Sequence, residues 1–356
     1  MTLDDLGFTT EFDDYRKNQN IKLSEVGRII SEHKERYLVK TGNKEYEGEI
    51  IGNLRFSAVR RSDFPAVGDW VKISYYEDSK VIIHSIFPRK NIIERQAVGK
   101  QGEKQIIATN IDYALIVQAV DGDFNINRIE RYLAICNTSD VIPIIILNKI
   151  DLISEVELSE LISRIQNRVK QVKVVAISNA SKKGFDSLSK LILKGKTYCL
   201  LGSSGVGKST LLNNLYGIEI MATSEISSST KKGRHITSHR ELIVLKNGGI
   251  IIDNPGMREI GITDSSGGLE KTFDAIIELS NGCKFKDCTH TTEENCAVLE
   301  ALRIGKINKS SYKNYLKMEQ EREHFESTVA EKRKKDKDFG KMIKNYKKDI
   351  NKKRDK

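Results

Sequence analysis

The chain has 356 residues, 38% hydrophobic and 30% charged, with a formal net charge of +10; at about 150 residues per domain this predicts two or three domains. The apolar run Val141 to Leu147 falls far short of the roughly 18 residues a membrane span needs and contains a proline, which argues against a chain that crosses a bilayer. Five cysteines, an odd count in a chain long enough to build its own core, do not suggest a disulfide framework. The acidic start, with Asp4, Asp5, Glu11, Asp13 and Asp14, lacks the basic and then apolar pattern of a secretory signal, so a cytosolic location is expected.

After this acidic leader (residues 1–20), residues 21–95 show five short alternating segments: Val26 to Ile30, Arg36 to Lys40, Tyr46 to Ile50, Trp70 to Tyr75 and Val81 to Ile86. Turn signals stand between them at Thr41-Gly42-Asn43, Gly52-Asn53 and Pro65 to Asp69. Five strands without a long intervening helix predict an all-β barrel of the oligonucleotide-binding (OB) class.

Residues 96–264 change to apolar runs separated by amphipathic stretches, the signature of a parallel sheet covered by helices. The runs are Tyr113 to Ala119, Val141 to Leu147, Val172 to Ile177 and Tyr198 to Leu201; between two of them Leu158, Leu161, Ile162, Ile165 and Val169 share a helical face, opened by a Ser154/Glu157 capping box. Asn247-Gly248 predicts a hairpin between Glu241 to Leu245 and Gly249 to Ile252.

A phosphate loop follows the last parallel run. Gly202, Ser203, Ser204, Gly205, Val206, Gly207, Lys208 and Ser209 match the pattern between a strand and a helix that opens at Thr210. Its amides and helix N-terminus hold phosphate oxygens, Lys208 neutralises the β and γ phosphates, and Ser209 offers a hydroxyl to Mg²⁺. Asn148, Lys149, Ile150 and Asp151 end another strand, where ligands of open α/β sheets bind. The Asp151 carboxylate suits the paired donors of guanine, which adenine lacks, while the Lys149 stem packs along the base. Ser178-Asn179-Ala180 is placed to complete the base pocket with a backbone amide. Asp253 is placed to hold Mg²⁺ through water, and Gly256 to present an amide to the γ-phosphate.

Beyond residue 264 the chain reads as a mainly helical module (265–320) with Cys283, Cys288, His290 and Cys296, then a basic tail (321–356). Four soft or borderline donors within 14 residues suit one closed, structural Zn²⁺ site. Cys136 and Cys199 fall in apolar helix and strand patterns and read as packing residues. Residues Glu331 to Lys356 account for +8 of the +10 charge. The runs Lys332 to Lys335 and Lys352 to Arg354 suit either solvated charge or RNA phosphates, and Arg55, Phe56, Arg60 and Arg61 are further candidates for RNA on the barrel.

Ordinary GTPases run phosphate loop, switch, Asp-x-x-Gly and then Asn-Lys-x-Asp, whereas this chain places Asn-Lys-x-Asp about 50 residues before the phosphate loop, so the central domain is predicted to be circularly permuted. With the barrel before it and the cysteines after it, the chain resembles the bacterial ribosome-small-subunit-dependent GTPase A family, also called the RsgA or YjeQ GTPases, over residues 25–300. Gly233-Arg234-His235 followed by Thr237, Ser238 and His239 is a further matching stretch. The resemblance implies a GTPase that binds GTP and GDP, uses Mg²⁺ and one structural Zn²⁺, and acts on the small (30S) ribosomal subunit and its rRNA late in maturation; a monomer is expected. Hydrolysis would be accelerated by the subunit and coupled to release.

Three positions depart from the family pattern: Ile236 stands in a usual threonine run, leaving Thr237 as the switch I Mg²⁺ ligand, Asn254 replaces a threonine, and Asn179 stands in the usual Ser-Ala-Lys. Two other readings remain open on the residues, a nucleotide-gated RNA-binding assembly factor and a signalling switch. Met257 occupies the place of the glutamine that orients water in Ras-type enzymes, so turnover by the chain alone is expected to be slow. The resemblance points to His235 as the group that orients the water, with His239 a second candidate. His235→Ala is expected to lower GTP turnover at least about tenfold with little loss of nucleotide affinity; steady-state kinetics beside a binding titration check this, and unchanged turnover removes the role.

Overall fold

The computed structural model describes residues 1–33, 36–42, 44–96, 104–122, 124–217, 241–253, 267–327, 331 and 334. The acidic leader still carries apolar groups at helical spacing. In helix α1 (Thr10–Asn18) Phe12 turns inward and joins Leu6, Ile21, Val26, Trp70 and Phe87 in a buried cluster, while the acidic side chains face water.

Strands β1 (Val26–His33), β2 (Arg36–Lys40) and β3 (Glu45–Ile50), the short helix α2 (Gly52–Ser57), then β4 (Trp70–Glu77) and β5 (Lys80–Ile86) form the N-terminal barrel. Neighbours run β1-β2-β3-β5-β4, and β4 pairs back onto β1, which closes the sheet. Alternation puts Ile29, Val39, Val71, Ile73, Val81 and Ile83 inside. The expected strands are thus present, with bounds extended by a few residues.

A separate antiparallel pair, β6 (Ile92–Gln96) and β7 (Lys104–Thr109), joins the barrel to the central domain. That domain comprises β8 (Tyr113–Ala119), α3 (Ile126–Thr138), β9 (Ile142–Asn148), α4 (Glu155–Arg168), β10 (Lys173–Ala176), α5 (Phe185–Ser189), β11 (Thr197–Leu201), α6 (Lys208–Tyr216), β12 (Glu241–Val244) and β13 (Ile250–Asp253). Its strands lie in the order β10-β9-β8-β11-β13-β12, parallel except for β12, and Glu241 of β12 pairs with Ser31 of the barrel. Ile129, Leu133, Leu158 and Ile165 cover one face from α3 and α4. Leu188, Leu211 and Leu212 cover the other from α5 and α6. The chain runs outward from β8 to β10 and returns to β11 on the far side of β8, so β8 and β11 flank the point where ligands of such sheets bind.

The C-terminal region comprises α7 (Gly268–Thr272), α8 (Asp274–Ser280), α9 (Ala297–Arg303) and α10 (residues 309–327). Leu269, Phe273, Ile276, Val298, Tyr312, Tyr315 and Met318 form its core, which takes in Ala134 of α3. α7 packs so closely on α3 that a Cβ at Gly268 would fall 2.0 Å from Thr138 Oγ1 and 2.5 Å from the Ala134 carbonyl oxygen. Among the described residues no helix is long and apolar enough to cross a membrane.

Arg28 is 1% exposed and sits where leader, barrel and central domain meet. Its guanidinium donates to the carbonyls of Leu6 (2.5 Å), Gly68 (3.2 Å) and Asn110 (3.3 Å) and to Thr197 Oγ1 (3.0 Å), and it lies 5.4 Å from the centre of the Trp70 ring. Burial lowers its pKa to about 10, with Asp112 and Asp69 opposing that shift. Arg28→Met keeps most of the volume and removes the donor from Leu6, Asn110 and Thr197, while the Gly68 carbonyl keeps Asn110 Nδ2 (3.0 Å); a loss of about 2–4 kcal/mol in denaturant unfolding is expected.

Candidate nucleotide site and metal centre

The phosphate loop leaves β11 at the switch point and enters α6 at Lys208, so its amides cluster at a helix N-terminus. Gly207 has φ +94°, and a Cβ there would meet Asn148 Nδ2 at 2.4 Å, so the approach of the two loops requires glycine. Asn148, 1% exposed, donates from Nδ2 to the Val206 carbonyl (2.7 Å), and its Oδ1 accepts from the Asn179 amide (3.2 Å). Asn179 Nδ2 donates to the Gly207 carbonyl (2.9 Å), and Asn214 Nδ2 donates to the Asn179 carbonyl (3.2 Å). Three segments far apart in sequence are therefore tied at one end of the sheet. The substituted Asn179 is one of the ties.

Lys149 takes the left-handed conformation, φ 66°, a strained geometry for a lysine that recurs at functional loops. Its Nζ lies 2.7 Å from Asp121 Oδ2. The exposed Asp151 accepts a short hydrogen bond at Oδ1 from the hydroxyl of buried Ser178, which orients the carboxylate. Ile150 is buried under this loop. Ser178 thus meets the Asn148–Asp151 loop through its side chain, while its own amide donates to the Lys183 carbonyl (3.0 Å).

Lys208 Nζ donates to the carbonyls of Gly202 (2.8 Å) and Ser203 (2.5 Å). Burial pushes its pKa down to about 8, and the nearby Asp253 carboxylate pulls the other way. Phosphate oxygens at this position favour the charged amine for the same Coulombic reason. Asp253 itself is 3% exposed at the end of β13. The predicted residues His235, Thr237 and Gly256, with His239, lie outside the described residues. Asp121 and Arg128, whose Nη1 donates to Ser203 Oγ (2.9 Å), belong to the site's surroundings although no sequence motif contains them.

Cys283, Cys288, His290 and Cys296 are brought together, their ligand atoms all within 4.8 Å of one another. Sγ of Cys283 lies 3.8 Å from Sγ of Cys296, and Nδ1 of His290 lies 3.6 and 3.4 Å from those two sulfurs. A tetrahedron with Zn–S near 2.3 Å has sulfur–sulfur edges of about 3.7 Å, so this Cys₃His group has the composition and spacing to bind zinc. His290 holds a left-handed backbone, φ 61°, with its carbonyl accepting from Tyr312 Oη (2.5 Å). Cys136 and Cys199 are buried, as predicted, and burial pushes the Cys136 thiol pKa up.

Residues 86–263 match the family model described as RsgA GTPase. A model for the ABC transporter family matches residues 185–354, a span that includes the strand, loop and helix shared by phosphate-loop proteins. The chain is 41% identical over 323 residues to "Small ribosomal subunit biogenesis GTPase RsgA 2" of Listeria monocytogenes, covering 90% of this chain and 89% of that one. It is 41% identical over 307 residues to "Small ribosomal subunit biogenesis GTPase RsgA" of Methanosarcina acetivorans, covering 86% and 81%. Among solved structures, YjeQ from Thermotoga maritima matches with a TM-score of 0.59 and 25% identity, over 86% of this chain and 98% of that one. YloQ, a circularly permuted GTPase, matches with a TM-score of 0.58 and 26% identity, over 86% and 95%.

Metal analysis of the purified chain is expected to find one zinc per molecule. Cys296→Ser should lose that zinc and lower the melting temperature of the C-terminal region, since binding energy in such sites is folding energy; a zinc-free wild-type chain with the same melting temperature would defeat the assignment.

Proposed function

The chain belongs to the RsgA GTPase family and is a GTP hydrolase, and from that premise we propose that it acts on the small ribosomal subunit during its maturation, with hydrolysis stimulated by the subunit and coupled to release. The observation that carries the nucleotide site is the Asn148 bridge to Val206, which ties the guanine-reading loop to the phosphate loop at the sheet's switch point.

In this reading water attacks the γ-phosphorus of GTP in line, the bond to the β–γ bridging oxygen breaks, and GDP and inorganic phosphate leave. The phosphate loop from Gly202 to Thr210 binds the phosphates, with Lys208 opposite the developing charge. Asn148 supports the base site, Lys149 and Ile150 pack it, and Asp151, oriented by Ser178, reads guanine. Ser209, Asp253 and Thr237 would hold Mg²⁺, which when bound supplies positive charge to the β and γ oxygens. His235 would orient the water and Gly256 would donate its amide to the γ-phosphate. Cys283, Cys288, His290 and Cys296 would hold a structural zinc.

The barrel supports RNA as the partner's contact surface. Phe56 is 94% and Val59 89% exposed, and Arg55, Arg60 and Arg61 flank them on α2 and the segment after it. An exposed aromatic among arginines offers a stacking face and phosphate contacts. Monomeric state, cytoplasmic location and a GDP form that leaves the subunit complete the proposal.

Steady-state GTP hydrolysis with purified small subunits, and with large subunits as control, tests it. Stimulation of about a hundredfold by small subunits alone is expected, absent in Lys208→Ala and reduced in a Phe56→Ala, Arg60→Glu variant. Equal rates with either subunit, or with none, would reject the small subunit as partner.

A further inference from the structure

Between β8 and α3 the chain passes from one part of the nucleotide site to another. Asp121, just after β8, holds Lys149 of the base-reading loop at 2.7 Å. Arg128, in the first turn of α3, holds Ser203 of the phosphate loop at 2.9 Å. Asn125 caps the helix by accepting from the Asn127 amide (2.9 Å), so this entry is a defined turn.

The same helical turns carry the seat of the C-terminal region. Glu130 is 2% exposed, and its carboxylate accepts from Arg168 of α4 (3.0 and 2.6 Å), Ser311 Oγ (2.8 Å) and Asn314 Nδ2 (2.7 Å). Asn314 Nδ2 also donates to the Asn127 carbonyl (3.2 Å), and Ser310 Oγ donates to Asn127 Oδ1 (3.1 Å). Arg131 makes a two-pronged pair with Glu321 at 2.5 and 2.8 Å. Arg128 and Arg131 stand one turn apart on one helix, so a rigid displacement of α3 that loosens one loosens the other. A buried carboxylate needs its donors, and moving α10 away strips Glu130 of two of them.

We propose that Asp121 and Arg128 are positioning residues of the nucleotide site, and that the seating of α10 on α3 through Asn127, Glu130 and Arg131 sets how tightly the chain holds nucleotide. The proposal rests on the nucleotide-site reading above and deepens it. The C-terminal region then acts on the phosphate loop through α3, directly and without passing through the switch segments. By linkage, bound nucleotide stabilises the seated arrangement to the same extent. A partner that displaces α10 weakens nucleotide binding.

The test is a double-mutant cycle in the full chain, titrating a fluorescent GDP analogue and a non-hydrolysable GTP analogue into wild type, Arg128→Gln, Asn314→Ala and the double variant, with zinc content and melting temperature measured on each. Each single variant is expected to weaken binding about fivefold or more, and the double variant to fall short of the product of the two by about threefold or more. Arg128→Lys, which keeps the charge and one donor, is expected to recover most of the affinity. Wild-type affinity in Asn314→Ala, or two effects that simply multiply, overturns the proposal. Should Asn314→Ala lose zinc or fail to fold, Glu321→Gln, at the more exposed end of the Arg131 pair, carries the same expectation and the same refutation. A wild-type chain that binds neither analogue overturns the nucleotide-site reading and this proposal with it.

Discussion

A guanidinium held away from water must place its donors on oxygens, and the fold around Arg28 is arranged to supply them. One acceptor comes from the leader (Leu6), one from the barrel turn (Gly68) and two from the central domain (Asn110, Thr197). None of these segments alone can satisfy the group, so its burial requires all three to be in place. The Arg89 fork on Asp69, at 2.8 and 2.7 Å, fixes the same barrel turn from the other side. The barrel is therefore oriented against the nucleotide domain through buried polar bonds, reinforced by the edge pairing of β1 with β12.

Permutation of the chain leaves the chemistry of the sheet unchanged, because the site depends on which strand ends lie together and the order in which the chain visits them is immaterial. Loops after β9 and β11 meet at the switch point whether the chain reaches β9 first or last. What permutation changes is the continuation: β13, which ends in Asp253, leads on to α7 and the module that carries the Cys₃His group instead of to another sheet strand. The module returns to the sheet's own cover, with α7 and α10 both packed on α3.

The balance of polar and apolar contact differs between these two junctions. Ala134 and Gly268 give a close approach of α3 and α7, tied across it by the side-chain bond from Asn137 Nδ2 to Thr272 Oγ1 (2.9 Å), and the neighbouring Glu130 cluster gives a more directional one. Apolar packing tolerates small slips, whereas a carboxylate with four named donors fixes helix rotation and register. Both junctions lie on α3, the helix that also carries Arg128 to Ser203.

The motifs were legible in the sequence because their chemistry is local. Gly202 to Ser209, Asn148 to Asp151 and the Cys₃His cluster each need only a few residues in a fixed backbone path, and the five barrel segments announce themselves by alternation. The Ser154/Glu157 box and the Asn247-Gly248 hairpin formed as their spacing required. Tertiary structure alone decided the partners of the charged and polar groups between those motifs. Arg28 reaches Thr197 across 169 positions and Asn314 reaches Glu130 across 184, and no periodicity encodes either. The same holds for Asp121 on Lys149 and Arg128 on Ser203: a lone acid in a loop or a lone arginine in a helix's first turn has no pattern, and its role exists only once the sheet has brought the strand ends together. Sequence fixes a residue's chemistry and its neighbours within a turn or a pleat; the long-range pairing of buried polar groups follows from the packing of the whole chain.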